Sequence, residues 1–113
     1  MASEYCVHKS TDLIPDYDFL VPTELLGEQV YYYRNCYYLR DFISECNLSE
    51  RYYCNDIVRI VPRHAKELVS ELENYINSNE IPSKDLVEMN NFLNLLKEIS
   101  EDNTYMYYLD YCD

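Results

Sequence analysis

From about Gly27 to Cys46, apolar side chains return at Tyr32, Cys36, Leu39, Ile43 and Cys46, in steps of 4, 3, 4 and 3. That is the period of one buried helix face, and it predicts a first helix of about five turns. Asn47-Leu48-Ser49 interrupts the pattern, with Ser49 placed as an N-cap and Leu48 before it able to staple onto the following helix. A second helix is predicted to run to about Val61, burying Tyr53, Ile57 and Ile60 or Val61. Pro62 suits the first turn of a third helix, which has no use for the N–H that proline lacks. Behind it Ala65, Leu68, Val69, Leu72, Tyr75 and Ile76 form the clearest amphipathic stripe in the chain.

Asn77-Ser78-Asn79 supplies a stop, since asparagine accepts the left-handed conformation that closes many helices. Ser83, after Pro82, is expected to cap a fourth helix along Leu86, Met89, Leu93, Leu96 and Ile99, widened by Phe92 and Leu95. Asp102-Asn103-Thr104 ends it. From Tyr105 to Cys112 two periods compete: a helix through Tyr105, Tyr108, Leu109 and Cys112, or a strand with Tyr105, Tyr107, Leu109 and Tyr111 on one side. The helix is the preferred reading. Residues 1–22 hold Pro15, Pro22 and only short apolar clusters, which predicts an extended acidic arm. The expected fold is therefore all-α, a small bundle of about four main helices in a single domain over 23–113, with that arm and a short C-terminal helix or strand.

Composition bounds this picture. At 113 residues one domain is expected, and 48% apolar residues make the chain too hydrophobic to read as disordered. Gly27 is the only glycine, so the Gly-rich turns that cradle phosphates in P-loops and dinucleotide folds are excluded. No leader and no apolar run of bilayer length is visible, which predicts a soluble, cytoplasmic protein with no membrane partner. Cys6, Cys36, Cys46, Cys54 and Cys112 follow no compact disulfide framework and are expected as thiols in a reducing cytosol.

Charge changes the picture most. The net charge is −12, and the acids outnumber the bases 6 to 1 over residues 1–30, 7 to 6 over 31–79, and 8 to 2 over 80–113. Two acidic ends thus flank a nearly neutral middle that holds all five arginines. Such a chain is not expected to bind nucleic acid directly, because that binding runs on clustered Lys and Arg. If the chain ends lie together they make one negative face. A four-helix bundle of this size has no room for all 14 tyrosines, and tyrosine is enriched at protein interfaces. The expected partner-binding residues are Asp12, Asp16, Asp18, Tyr31, Tyr33, Tyr37, Tyr38, Asp102, Tyr107, Asp110, Tyr111 and Asp113.

Candidate chemistry adds little. Cys6, His8, Cys36, Cys46, Cys54 and His64 lack the close pairs of a structural zinc site, and Cys6-x-His8 is the one near spacing. Cys54 with His64 is the one nucleophile and base pair that adjacent helices could form, without an orienting third group. Neither catalytic residues, a metal nor a cofactor are expected. In size, charge and lack of motif the chain is similar to small acidic phage-encoded antagonists of bacterial defence, including anti-CRISPR and anti-restriction proteins. That likeness is compositional and transfers no residue. It implies a non-enzymatic inhibitor that covers a basic, nucleic-acid-binding surface of an enzyme or effector complex in the host cytoplasm. The alternatives are an immunity protein that neutralises a nuclease toxin, or a self-associating helical adaptor, for which the exposed tyrosines would serve a homodimer.

Overall fold

The computed structural model describes residues 4–10, 27–34, 36–48, 53–54 and 57–112. In chain order the elements are β1 (Glu4–Ser10), β2 (Glu28–Arg34), α1 (Tyr37–Glu45), β3 (Tyr53–Cys54), β4 (Ile57–Ile60), α2 (Pro62–Ser78), α3 (Ser83–Glu101) and β5 (Met106–Cys112). The strands form one antiparallel sheet in the order β2-β1-β5-β4-β3, of which β3 is a two-residue edge. The fold is α+β, which corrects the all-α expectation.

Two of the expected helices are present with their expected faces. Pro62 stands at the start of α2, and Ala65, Leu68, Leu72 and Tyr75 are its buried residues. Asparagine does close this helix, but Asn79 is extended at φ −128° and its side-chain amide donates to the Tyr75 carbonyl at 2.8 Å. In α3 the buried residues are Met89, Phe92, Leu93, Leu96 and Ile99. Pro82 holds the N-cap position expected of Ser83, which is the first helical residue instead.

The other three helices are corrected. Only the second half of the first one forms, as α1, which buries Leu39, Phe42 and Ile43. Its first half is β2, because Val30-Tyr31-Tyr32-Tyr33 is a β-branched and aromatic run, and Tyr32 alone carried the helical period there. Asn47, at φ 53°, supplies the left-handed residue just beyond α1. The second expected helix is replaced by β3 and β4, where Val58 and Ile60 are buried in strand alternation; Ser49 and the Tyr53 and Ile57 side chains lie outside the described residues.

The tail is β5, the middle strand, paired with β1 from Glu4↔Cys112 to Ser10↔Met106 and with β4 through Val58↔Leu109. Tyr107, Tyr108 and Leu109 are all buried, so β5 is covered on both faces and shows no clean alternation. Glu4–Ser10, the described part of the expected arm, is extended but lies inside the sheet, between β2 and β5. Residues 11–22 of that arm are outside the described residues.

Tyr5 and Val7 of β1, Val58 and Ile60 of β4, and Tyr107 and Leu109 of β5 meet the buried faces of the three helices in one core. β2 is the other edge of the sheet and is irregular. Tyr31 faces Val7 but Gln29 faces His8, which leaves Val30 without a partner on β1. A bulge of this kind twists an edge strand away from intermolecular pairing.

Candidate binding face

β2 places its tyrosines on two sides. Tyr31 and Tyr33 pack on the helix side against the core, and the Tyr31 ring lies 5.5 Å from Phe92 at 57°. The Tyr31 hydroxyl is buried without a hydrogen-bond partner. Burial, and then the Glu88 carboxylate, push it well above the ordinary tyrosine range. Tyr33 is also raised, by desolvation first and then by the Cys36 thiol and the Glu88 and Asp85 carboxylates. Asp85 and Glu88 are therefore close to the β2 tyrosines, a cluster the sequence reading missed. Their signal was present: on α3 they precede Met89, the first residue of its buried stripe.

Tyr32 faces the other side of the sheet and is 45% exposed. Register sets it beside Cys6 on β1, which in turn lies beside Asp110 on β5. At about 4.8 Å per strand, Tyr32 and Asp110 sit roughly 10 Å apart on one face. On α1, Tyr37 is 64% exposed and its ring meets Tyr38 edge-on at 5.2 Å. The Tyr38 hydroxyl donates to the Glu80 carbonyl at 3.4 Å, holding this pair beside the α2–α3 connection.

Two expected contact residues turn out to hold the fold together. Tyr107 is 1% exposed, and its hydroxyl donates to Asp102 Oδ2 at 2.7 Å. Asp102 Oδ1 accepts the backbone N–H groups of Thr104 at 2.8 Å and Tyr105 at 3.3 Å, which turns the chain from α3 into β5. Tyr107 is thus not available to a partner, and Asp102 is committed to the turn. Asp12, Asp16, Asp18, Asp113 and the Tyr111 side chain lie outside the described residues.

The candidate metal and nucleophile residues weighed in the sequence can be placed only in part. Among the described residues no group of three or more His, Cys, Asp and Glu converges as metal ligands. His64 Nε2 lies 3.4 Å from the Arg63 guanidinium; burial first, and then that positive charge, hold its pKa down. The side chain of Cys54, the candidate nucleophile weighed beside it, lies outside the described residues. No helix among the described residues is long and apolar enough to cross a membrane. No family model, no curated protein and no solved structure matches this chain, so only the chemistry of its own surfaces bears on function.

Proposed function

We propose that the protein is a non-enzymatic acidic binding protein that inhibits a partner by covering a basic, nucleic-acid-binding surface, in the manner of a phage-type anti-defence antagonist acting in the host cytoplasm. The observation that carries this reading is the pairing of β1 with β5. It sets the first and last described strands of the chain side by side, Glu4 opposite Cys112 and Cys6 opposite Asp110. Exposed Tyr32 then joins Asp110 in one cross-sheet row. Carboxylates on such a frame stand in for phosphates, and tyrosine rings offer flat faces to the arginine and aromatic groups that otherwise stack on bases.

The reading is tested by immobilising the protein, capturing from a host lysate at low salt and eluting at high salt. The captured protein is expected to bind DNA or RNA and to lose that binding when excess chain is added. The paired variant Tyr32→Ala with Asp110→Asn should capture it several-fold less while melting at the same temperature. A captured partner that holds nucleic acid equally well with and without the chain would sink the proposal.

A further inference from the structure

Where β4 runs into α2, three basic residues come together. Arg59 is the third residue of β4, opposite Tyr108 of β5, and Arg63 and His64 are the second and third residues of α2. The His64 ring joins them: it bonds to the Arg59 backbone, and its Nε2 lies 3.4 Å from the Arg63 guanidinium. A guanidinium only donates, so Nε2 is the accepting nitrogen of a neutral imidazole, in agreement with the lowered pKa of this ring. Of the five guanidinium N–H groups of Arg63, this contact occupies one.

Among the described residues neither Arg59 nor Arg63 is paired with a carboxylate. Asp110, diagonal to Arg59 across the β4–β5 ladder, is not bonded to it. Glu67, one turn along α2, acts on His64 less strongly than Arg63 does and has an interaction of its own. The first turn of α2 contains no acid, so the positive end of its aligned peptide dipoles adds to the same spot. A chain with 21 acids and 9 bases thus keeps two guanidinium groups together and unneutralised. Gathered like charge of this kind is offset by a bound counter-charge.

The number of cations selects the anion. One guanidinium already satisfies a carboxylate through two parallel hydrogen bonds, whereas two guanidinium groups match a phosphate monoester, with three terminal oxygens and a charge of about −1.5 to −2 at pH 7. A nucleic-acid strand fits less well, because its further phosphates would lie over acidic surface. A small dianion needs only the local field, which reaches about 10 Å at 0.1 M salt. We infer that Arg59 and Arg63 form a binding site for a phosphate monoester at the junction of β4 and α2. The inference goes beyond the proposed function and does not rest on it.

The ¹⁵N-labelled protein is titrated at low salt with methyl phosphate, and in parallel with sodium chloride at matched ionic strength. Saturable shifts are expected at the backbone amides of Arg63 and His64 with methyl phosphate and none with chloride. Dimethyl phosphate, which carries a single charge, should bind roughly tenfold more weakly. AMP distinguishes the sources of the group: an affinity equal to that of methyl phosphate assigns the site to the phosphate alone, and a tighter one to a nucleotide. Arg63→Gln, at an exposed position, should raise the methyl phosphate Kd by about tenfold with an unchanged melting temperature. Arg59→Gln together with Arg63→Gln should abolish saturation. Lys84→Gln, in the first turn of α3, lies beyond the far end of α2, roughly 25 Å away, and should leave the Kd unchanged. Shifts reproduced by chloride, equal affinity for dimethyl phosphate, or an unchanged Kd in Arg63→Gln would overturn the inference.

Discussion

Gly27 sits at φ +88°, and a Cβ there would run into the Lys9 carbonyl of β1. The chain's only glycine is needed where the sheet's edge strand begins, and its carbonyl also lies 3.4 Å from His8 Nδ1. Gly27→Ala is expected to lower stability by about 1–3 kcal/mol from the backbone conformation alone, with the clash adding to it, read as a fall in the urea midpoint. Asp102 offers a different residue-scale test. Its carboxyl is held below the ordinary range by the Tyr107 hydroxyl first and then by the Thr104 backbone N–H. A depressed carboxyl contributes stability above its unfolded pKa of about 4, and that contribution is lost as pH falls through the lower folded value. Asp102→Asn should therefore unfold at lower urea than the wild type at pH 6, and the gap should narrow at pH 3. A gap that is constant with pH would mean that the carboxylate's charge contributes nothing to the turn. From sequence, Asp102 was legible as the end of a helix. Its bond to Tyr107, five residues on, could not be seen while the tail was read as helical.

At the scale of elements, legibility followed the length of an unbroken period. α2 and α3 keep a helical stripe over 17 and 19 residues, long enough that chance cannot imitate it. The strands offered much less. β4 has four residues, β2 is a bulged edge with little burial, and β5 is covered on both faces, so none carries a long alternating pattern. In β5 the helical period through Tyr105, Tyr108, Leu109 and Cys112 arose because Tyr108 and Leu109 are both buried, one on each side of the sheet. The consequence can be measured. Ending the chain at Thr104 removes the strand between β1 and β4, and the truncated protein should show no cooperative thermal transition by circular dichroism. A terminal helix docked on a four-helix bundle would have been far more dispensable, so a truncated chain that still melts cooperatively would contradict the central place of β5.

At the scale of the whole molecule, the charge asymmetry was legible and its geometry was not. Counting acids along the chain separates two acidic ends from a balanced middle, and the β1–β5 pairing sets Glu4–Ser10 beside Met106–Cys112, while Asp12, Asp16, Asp18, Glu24 and Asp113 lie outside the described residues. The candidate site changed accordingly. Tyr107 and Asp102 moved from the surface into the framework, while Tyr32, Asp85 and Glu88 entered from positions that composition could not rank.

The β1–β5 ladder also governs how the molecule is assembled. Joining Glu4 to Cys112 and Ser10 to Met106 closes almost the entire chain into a loop before the middle of the sheet exists. Loop-closure entropy must be met before those contacts return anything, so folding should be slower than the two long helices alone would suggest. With the two ends already neighbours, a short peptide linking them, and a new opening in the α2–α3 connection, should give a permuted chain that keeps the same sheet and crosses that barrier sooner.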